Sequence, residues 1–170
     1  MSPVAVLVGP MGAGKTTVAR ILARRLGVEV RDTDADVERA TGAPVQEIFV
    51  QHGEAHFRAL ESAAVAAALS EHDGVLSLGG GAVLDPTTAA LLADHPVVFL
   101  DVGLAAASQR VGLGAGRPLL LGNVRATMKA LLDERRPLYE QVARHVVVTD
   151  DLTPAEVADS IVLLLREGRS

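Results

Sequence analysis

The segment Gly9–Thr16 is the sequence feature that most constrains the fold. It reads G-P-M-G-A-G-K-T, a complete match to the phosphate-binding pattern G-x-x-x-x-G-K-[ST]. An apolar run, Val4–Val8, precedes it, and a helical stretch, Thr17–Leu26, follows it. In such a loop, backbone N–H groups point at phosphate oxygens, and the helix N-terminus adds partial positive charge. The sequence therefore predicts a strand, a phosphate loop (P-loop) and a helix in succession.

Two side chains of this loop predict that the nucleotide is Mg-ATP. Lys15 is expected to reach the β- and γ-phosphates, and the Thr16 hydroxyl is expected to bind Mg²⁺. Of the 16 basic residues only Lys15 and Lys129 are lysines, so a chain that strongly prefers arginine still has lysine here. A compact ammonium fits between phosphates where a planar guanidinium does not. The predicted ATP-binding residues of the loop are Gly12, Ala13, Gly14, Lys15, Thr16 and Thr17.

Apolar runs alternate with helical stretches along the chain, and this alternation predicts a parallel sheet flanked by crossover helices. The 170 residues predict a single domain, 1–170. Predicted strands are Val4–Val8, Val28–Arg31, Val75–Leu78, Val97–Asp101 and His145–Val148. Predicted helices are Lys15–Leu26, Asp34–Thr41, Val45–His52, Glu54–Glu71, Pro86–Ala93, Leu104–Arg110, Asn123–Val142 and Pro154–Glu167.

Two acids, Asp32 and Asp34, directly follow the second predicted strand. Ligands of open parallel sheets gather at the carboxyl ends of strands. Asp32 is expected to serve Mg²⁺, and Asp34 is expected to orient a substrate hydroxyl for attack on the γ-phosphate. Helix capping is the alternative role for this cluster. Asp101, at the end of an apolar strand, is a rival metal ligand.

Glycine-rich segments and isolated arginines supply the other candidates. Gly79, Gly80 and Gly81 follow the third predicted strand, which indicates close approach of the backbone to a ligand. The segment 112–122 is rich in glycine and contains Arg117, as expected of a mobile lid. Arg58 and Arg136 are candidate partners for a substrate carboxylate, because a guanidinium binds that group through two parallel hydrogen bonds.

Composition excludes several classes of function. The net charge of -5 argues against non-specific nucleic-acid binding. The chain has no cysteine, which fits the cytoplasm, and it has no apolar stretch long enough to span a membrane. The five histidines lack the spacing of metal ligands. We expect a cytoplasmic monomer that binds neither nucleic acid nor membrane.

The assembled motifs resemble those of the shikimate kinases, and the resemblance covers nearly the whole chain. The motifs are the P-loop, D-T-D at Asp32–Asp34, G-E-x-x-F-R at Gly53–Arg58, L-S-L-G-G-G at Leu76–Gly81, R-P-L-L at Arg117–Leu120 and R-x-P-L-Y at Arg135–Tyr139. The resemblance implies a fold like that of the nucleoside monophosphate kinases, with five parallel strands. It also implies transfer of the γ-phosphoryl group of ATP to the 3-hydroxyl of shikimate.

The same resemblance implies a role for each matching residue. Lys15 and Arg117 bind phosphates, while Thr16 and Asp32 serve Mg²⁺. Asp34 binds and deprotonates the accepting hydroxyl. The remaining implied contacts are Arg58 and Arg136 with the carboxylate, Gly79–Gly81 with the ring, Phe49 and Phe57 as apolar walls, and Arg110 and Pro154 with adenine. The substrate-binding helical segment is expected at about 34–61.

Without the resemblance, the residues define only a small-molecule kinase that uses Mg-ATP. A kinase for another hydroxy acid, such as gluconate, remains an alternative. A nucleoside monophosphate kinase fits less well, because three Phe and one Tyr offer little aromatic surface for a base. A GTP-dependent switch module would need an N-K-x-D motif, and neither lysine follows an asparagine.

Overall fold

A computed structural model describes residues 1–110 and 118–168 of the chain. Over these residues five strands form one parallel sheet in the order β2-β3-β1-β4-β5. The strands are β1 (Ala5–Val8), β2 (Val30–Asp32), β3 (Val75–Ser77), β4 (Val97–Asp101) and β5 (His145–Val148). The predicted five-stranded parallel sheet is thereby confirmed.

Helices cover both faces of the sheet. They are α1 (Lys15–Leu26), α2 (Thr33–Thr41), α3 (Val45–His52), α4 (Glu54–Glu71), α5 (Pro86–Leu92), α6 (Leu104–Arg110), α7 (Pro118–Val142) and α8 (Pro154–Glu167), with a short 3-10 helix at Ala82–Leu84. Among the described helices, none combines the length and the apolar character needed to cross a membrane.

The core has one layer on each face of the sheet, because successive side chains of a strand point to opposite faces. Leu7 of β1 packs in the layer that also contains Leu22 of α1 and Ile161 of α8. Its neighbour Val6 packs in the opposite layer, which includes Tyr139 of α7. Both faces of β1 are therefore buried, and the loop that follows this strand starts from a fixed position.

Helices α2, α3 and α4 form a separate small layer around Val37, Ile48 and Phe57. These side chains are buried, although the layer lies outside the two main core clusters. The predicted substrate-binding segment, 34–61, covers α2, α3 and the start of α4. This segment thus has its own packing and borders the edge of the sheet where β2 ends.

The structure differs from the predicted elements mainly at two boundaries. Helix α7 begins at Pro118 rather than at Asn123, and proline is favoured at the first position of a helix. The C-terminal part of the predicted lid, 118–122, is therefore helical, while its remaining residues, including Arg117, lie outside the described residues. Strand β2 extends to Asp32 and α2 begins at Thr33, because Asp32 caps the helix.

Candidate active site

Most of the predicted site residues that the structure describes line one cavity of about 790 Å³ at the carboxyl ends of the strands. Ligand crevices of open parallel sheets lie at this edge. The wall includes the P-loop, Asp32, Asp34, Phe49, Phe57, Arg58, the glycine triplet Gly79–Gly81, Arg135 and Pro154. The nucleotide loop and the candidate acceptor residues therefore share one space.

The backbone of the P-loop has a positive φ at three glycines, Gly9, Gly12 and Gly14. Gly14 is the N-cap of α1 with φ +86°, a left-handed conformation that glycine adopts without penalty. Gly12 has φ +87°, and a Cβ there would lie 2.9 Å from the carbonyl oxygen of Ala107. The loop thus follows a path that side chains would block, and it leads directly into the first turn of α1.

Lys15 lies in the cavity wall at the first position of α1. Its ammonium donates hydrogen bonds to the carbonyl oxygens of Gly9, at 2.6 Å, and Pro10, at 3.0 Å. Burial lowers the pKa of Lys15 to about 8, and the negative charges of Asp34 and Asp32 oppose this shift. A buried ammonium beside the loop is a cation that is positioned to receive phosphate oxygens.

Asp32 caps helix α2 with one of its two carboxylate oxygens. Its Oδ1 accepts from the backbone N–H of Asp34, at 2.8 Å, and that of Ala35, at 3.4 Å. The capping role considered from the sequence is therefore real, and the N-cap is Asp32. Asp32 also lines the cavity with Thr16. Capping occupies Oδ1 and leaves Oδ2 to serve a ligand.

Asp34 is the most strongly perturbed acid of the cavity. Its pKa is raised to about 6, first by burial and then by the nearby carboxylates of Asp32 and Glu61, whereas the charge of Lys15 opposes the shift. Its buried Oδ1 has no hydrogen-bond partner within 1–110 and 118–168. A carboxylate with a pKa near neutrality and a free oxygen has the properties of a general base.

The Arg58 side chain contacts an acid, two aromatic rings and a glycine. Its Nη1 donates to Glu61 Oε1 at 2.8 Å, and its guanidinium carbon lies 5.3 Å from the Phe57 ring centroid and 5.8 Å from that of Phe49. The guanidinium also packs against Gly81 so closely that a Cβ there would overlap it. A side chain at position 81 would therefore displace the Arg58 guanidinium.

Glu61 was not predicted from the sequence, although it is buried and lines the cavity. Burial raises the pKa of its carboxyl group, while the hydrogen bond and charge of Arg58 lower it. The available signal was its position three residues after Arg58 on one helix, a spacing at which opposite charges meet.

The two adjacent arginines of α7 have different positions. Arg135 lines the cavity, and its Nη1 lies 3.7 Å from the place of a Cβ at Gly80. Its buried Nε has no hydrogen-bond partner among the described residues. Arg136, which was predicted to bind the carboxylate, instead has its Nη1 2.9 Å from both carboxylate oxygens of Asp101. Neighbouring helix residues point about 100° apart, so only one of the two arginines faces the cavity.

Asp101 is likewise not among the described residues that line the cavity, and its carboxylate is paired with Arg136.

The predicted adenine contacts have different outcomes. Pro154 lies in the wall, together with apolar side chains that the sequence did not single out: Met128, Leu131, Leu132, Leu152 and Val157. The side chain of Arg110 and the whole of Arg117 lie outside the described part of the chain.

A P-loop after the central strand and an acid with a raised pKa in the same cavity define a class of protein. That class is the P-loop kinases of small molecules. The family model described as "Shikimate kinase" matches residues 11–166. The chain belongs to the shikimate kinase family.

Individual relatives agree with this membership. A shikimate kinase of Saccharopolyspora erythraea is 63% identical over 95% of this chain and 93% of its own length. A shikimate kinase of Salinispora arenicola is 61% identical over 97% of this chain and 99% of its own. Among solved structures, the shikimate kinase of Acinetobacter baumannii in complex with shikimate superposes with a TM-score of 0.90 and 36% identity, covering 99% of this chain and 95% of that one.

Proposed function

We propose that this enzyme transfers the γ-phosphoryl group of ATP to the 3-hydroxyl of shikimate. The proposal rests on membership of the family and on one observation, the shared cavity of the P-loop, Asp34 and two arginines. The hydroxyl oxygen forms a bond to the γ-phosphorus while the bond from that phosphorus to the β,γ-bridging oxygen breaks. The bond electrons leave with ADP, and the hydroxyl proton passes to Asp34.

On the acceptor side, Asp34 orients the hydroxyl and takes its proton. Its pKa of about 6 leaves it mostly ionised at neutral pH while keeping it basic enough to accept a proton. The carboxylate of shikimate binds Arg58 and Arg135. We assign this second contact to Arg135 rather than to the predicted Arg136, because Arg135 carries a buried, unpartnered Nε in the described cavity wall.

Two aromatic rings and the glycine triplet are proposed to determine the shape of the acceptor pocket. Phe49 and Phe57 form the apolar wall, with ring centroids 4.7 Å apart. The triplet Gly79–Gly81 brings backbone close to the ring of the substrate. A polar ring with a single carboxylate suits a pocket that combines two arginines with one buried acid.

On the nucleotide side, the backbone N–H groups of Gly12–Thr17 and the Lys15 ammonium bind the phosphates. Arg117 is proposed to contact the transferring group, and Arg110 and Pro154 are proposed to hold adenine. The apolar side chains beside Pro154 suit a flat base. Because phosphoryl transfer depends mainly on positioning and charge stabilisation, the loop supplies most of the chemistry on this side.

Thr16 and Asp32 are proposed to hold Mg²⁺. A hydroxyl and a carboxylate that border one cavity match the oxygen ligands that this ion prefers. Phosphate oxygens of ATP and water molecules are proposed to complete the coordination, because Mg²⁺ keeps several waters and binds few protein ligands. When bound, the ion neutralises charge on the β- and γ-phosphates.

We further propose that the enzyme acts as a cytoplasmic monomer. The cavity combines nucleotide-binding and acceptor-binding residues of a single chain, so a second copy is not needed to complete it. Size-exclusion chromatography with light scattering measures this directly.

A coupled assay of ADP release tests the proposed function. ADP release should depend on shikimate and should be much slower with gluconate or with the methyl ester of shikimate, which lacks the negative charge. Faster turnover with gluconate than with shikimate would assign the enzyme to the alternative acceptor.

A further inference from the structure

An ion pair outside the cavity joins the carboxyl end of β4 to helix α7. Arg136 Nη1 lies 2.9 Å from both oxygens of Asp101. The side chain of Asp101 is 17% exposed and that of Arg136 is 38% exposed. The pair contributes nothing to the cavity wall, yet Arg136 is the immediate neighbour of Arg135, which does line it.

Asp101 is held firmly on its strand. Its carbonyl oxygen accepts from the backbone N–H of Thr149, at 2.9 Å, and from the Thr149 hydroxyl, at 3.1 Å. It also lies opposite Val148 in the parallel pairing of β4 with β5. The acidic partner of Arg136 is thus attached to the sheet.

Helix α7 lacks one backbone hydrogen bond at this turn. Pro137 lies inside the helix and has no N–H, so the helical hydrogen bond to the carbonyl of Asp133 is missing. The turn that carries both arginines is therefore held less tightly by its own backbone. A small rotation about the helix axis would carry the guanidinium of Arg135 away from the cavity.

We propose that Asp101 and Arg136 form a positioning pair that sets the rotation of α7 and so directs Arg135 into the acceptor pocket. The hydroxyl of Tyr139, one turn further along, donates to the Gly80 carbonyl and fixes the same face of the helix. This inference rests on the proposed function, because it requires that Arg135 binds the carboxylate of shikimate.

Steady-state kinetics of Asp101→Asn, Arg136→Gln and their double variant test the pair. Each single variant should raise KM for shikimate about three- to fivefold, the range expected from loss of a partly exposed ion pair. KM for ATP and kcat should stay within about twofold of the wild type, because the P-loop and Asp34 are untouched. The double variant should resemble the worse single variant, because both changes break one contact.

Two lysine variants separate positioning from direct binding. Arg136→Lys should keep nearly the wild-type KM, since the contact to Asp101 uses one nitrogen, which an ammonium can replace. Arg135→Lys should raise KM for shikimate by about tenfold or more, because an ammonium cannot reproduce the two parallel bonds of a guanidinium. The matched control is Lys129→Gln, which breaks the exposed Lys129–Asp133 pair on the same helix and should leave both KM values unchanged.

An unchanged KM for shikimate in folded Asp101→Asn and Arg136→Gln would overturn the positioning role. The positioning role would also be overturned if these variants raised KM for the methyl ester as much as KM for shikimate. The ester has no carboxylate, so loss of the contact between Arg135 and the carboxylate cannot weaken its binding. Failure of the proposed function gives a different result: the wild type would then not use shikimate, or would use the ester as well as the acid.

Discussion

The carboxylate of Asp34 lies directly against the backbone of Gly79. A Cβ at position 79 would be 2.7 Å from Asp34 Oδ1 and 2.9 Å from Glu61 Oε2. The segment that follows β3 therefore forms a wall against which two acids pack, one from α2 and one from α4. The absence of a side chain at position 79 is what lets both carboxylates reach the cavity.

Gly79→Ala should displace Asp34 and lower kcat by roughly tenfold or more, because misplacement by about 1 Å is costly for a reacting group. KM for ATP should change little. Steady-state kinetics measure both. Gly168→Ala is the matched control, because its Cβ would meet only ordinary contacts, at 3.6 Å from Leu164 O. Wild-type kcat in Gly79→Ala would show that Asp34 needs no such close packing.

Asp34→Asn should lower kcat by about 10²–10⁴-fold while leaving ATP binding nearly intact, because a general base contributes a factor of that size. Single-turnover kinetics with saturating ATP separate chemistry from binding. A loss well below tenfold would reduce Asp34 to an orienting role.

The pH dependence of kcat/KM for shikimate should follow Asp34 and Lys15. Protonation of Asp34, with a pKa of about 6, should lower the rate by about tenfold per pH unit below that value. Deprotonation of Lys15, with a pKa of about 8, should lower the rate above that value. A pH profile that stays flat down to pH 4.5 would contradict the assignment of the base.

Stability should depend on pH in a way that also involves Asp34. Folding raises the pKa of Asp34 from 3.8 to about 6. Protonated Asp34 therefore adds to the free energy of unfolding in full below pH 3.8, and this contribution is lost as the pH rises through 6. The asparagine side chain of the Asp34→Asn variant cannot ionise. Its Tm should therefore exceed that of the wild type at pH 7.5, and this advantage should vanish near pH 3.8. Thermal melts at several pH values measure it, and a Tm advantage independent of pH would refute the linkage.

Lys15→Ala should nearly abolish phosphoryl transfer, because charge developing between the β- and γ-phosphates loses its partner. The fold should persist, since burial lowers the pKa of Lys15 and its charge therefore does not favour folding. Circular dichroism and the ADP-release assay report on the two properties separately. Near-normal turnover would refute the P-loop assignment.

Asp32→Asn should raise the Mg²⁺ concentration that gives half-maximal rate, because an amide is a weaker ligand than a carboxylate. The amide oxygen can still cap α2, so the fold should survive. Asp101→Asn is the comparison, since Asp101 is paired with Arg136. If only Asp101→Asn changes the Mg²⁺ requirement, Asp101 rather than Asp32 serves the metal.

The sequence was sufficient to predict the sheet and the general location of the site, because periodicity and glycine motifs are local signals. It was not sufficient to predict which of two adjacent arginines faces the cavity, since that depends on the rotation of α7, and the partner of Arg136, Asp101, is distant in sequence. The spacing of Glu61 from Arg58 indicated an ion pair but not that this carboxylate lies beside Gly79, which depends on how α4 packs. Local pattern predicts elements, whereas the direction of a side chain depends on tertiary contacts.

Product analysis by ³¹P NMR tests the central claim most directly. The purified enzyme is incubated with ATP, Mg²⁺ and shikimate, and the phosphorus spectrum is followed over time. We predict one new phosphate monoester, coupled to the proton on carbon 3 of shikimate, that grows in step with ADP. Release of inorganic phosphate alone, or a monoester that forms with gluconate and not with shikimate, would contradict the claim.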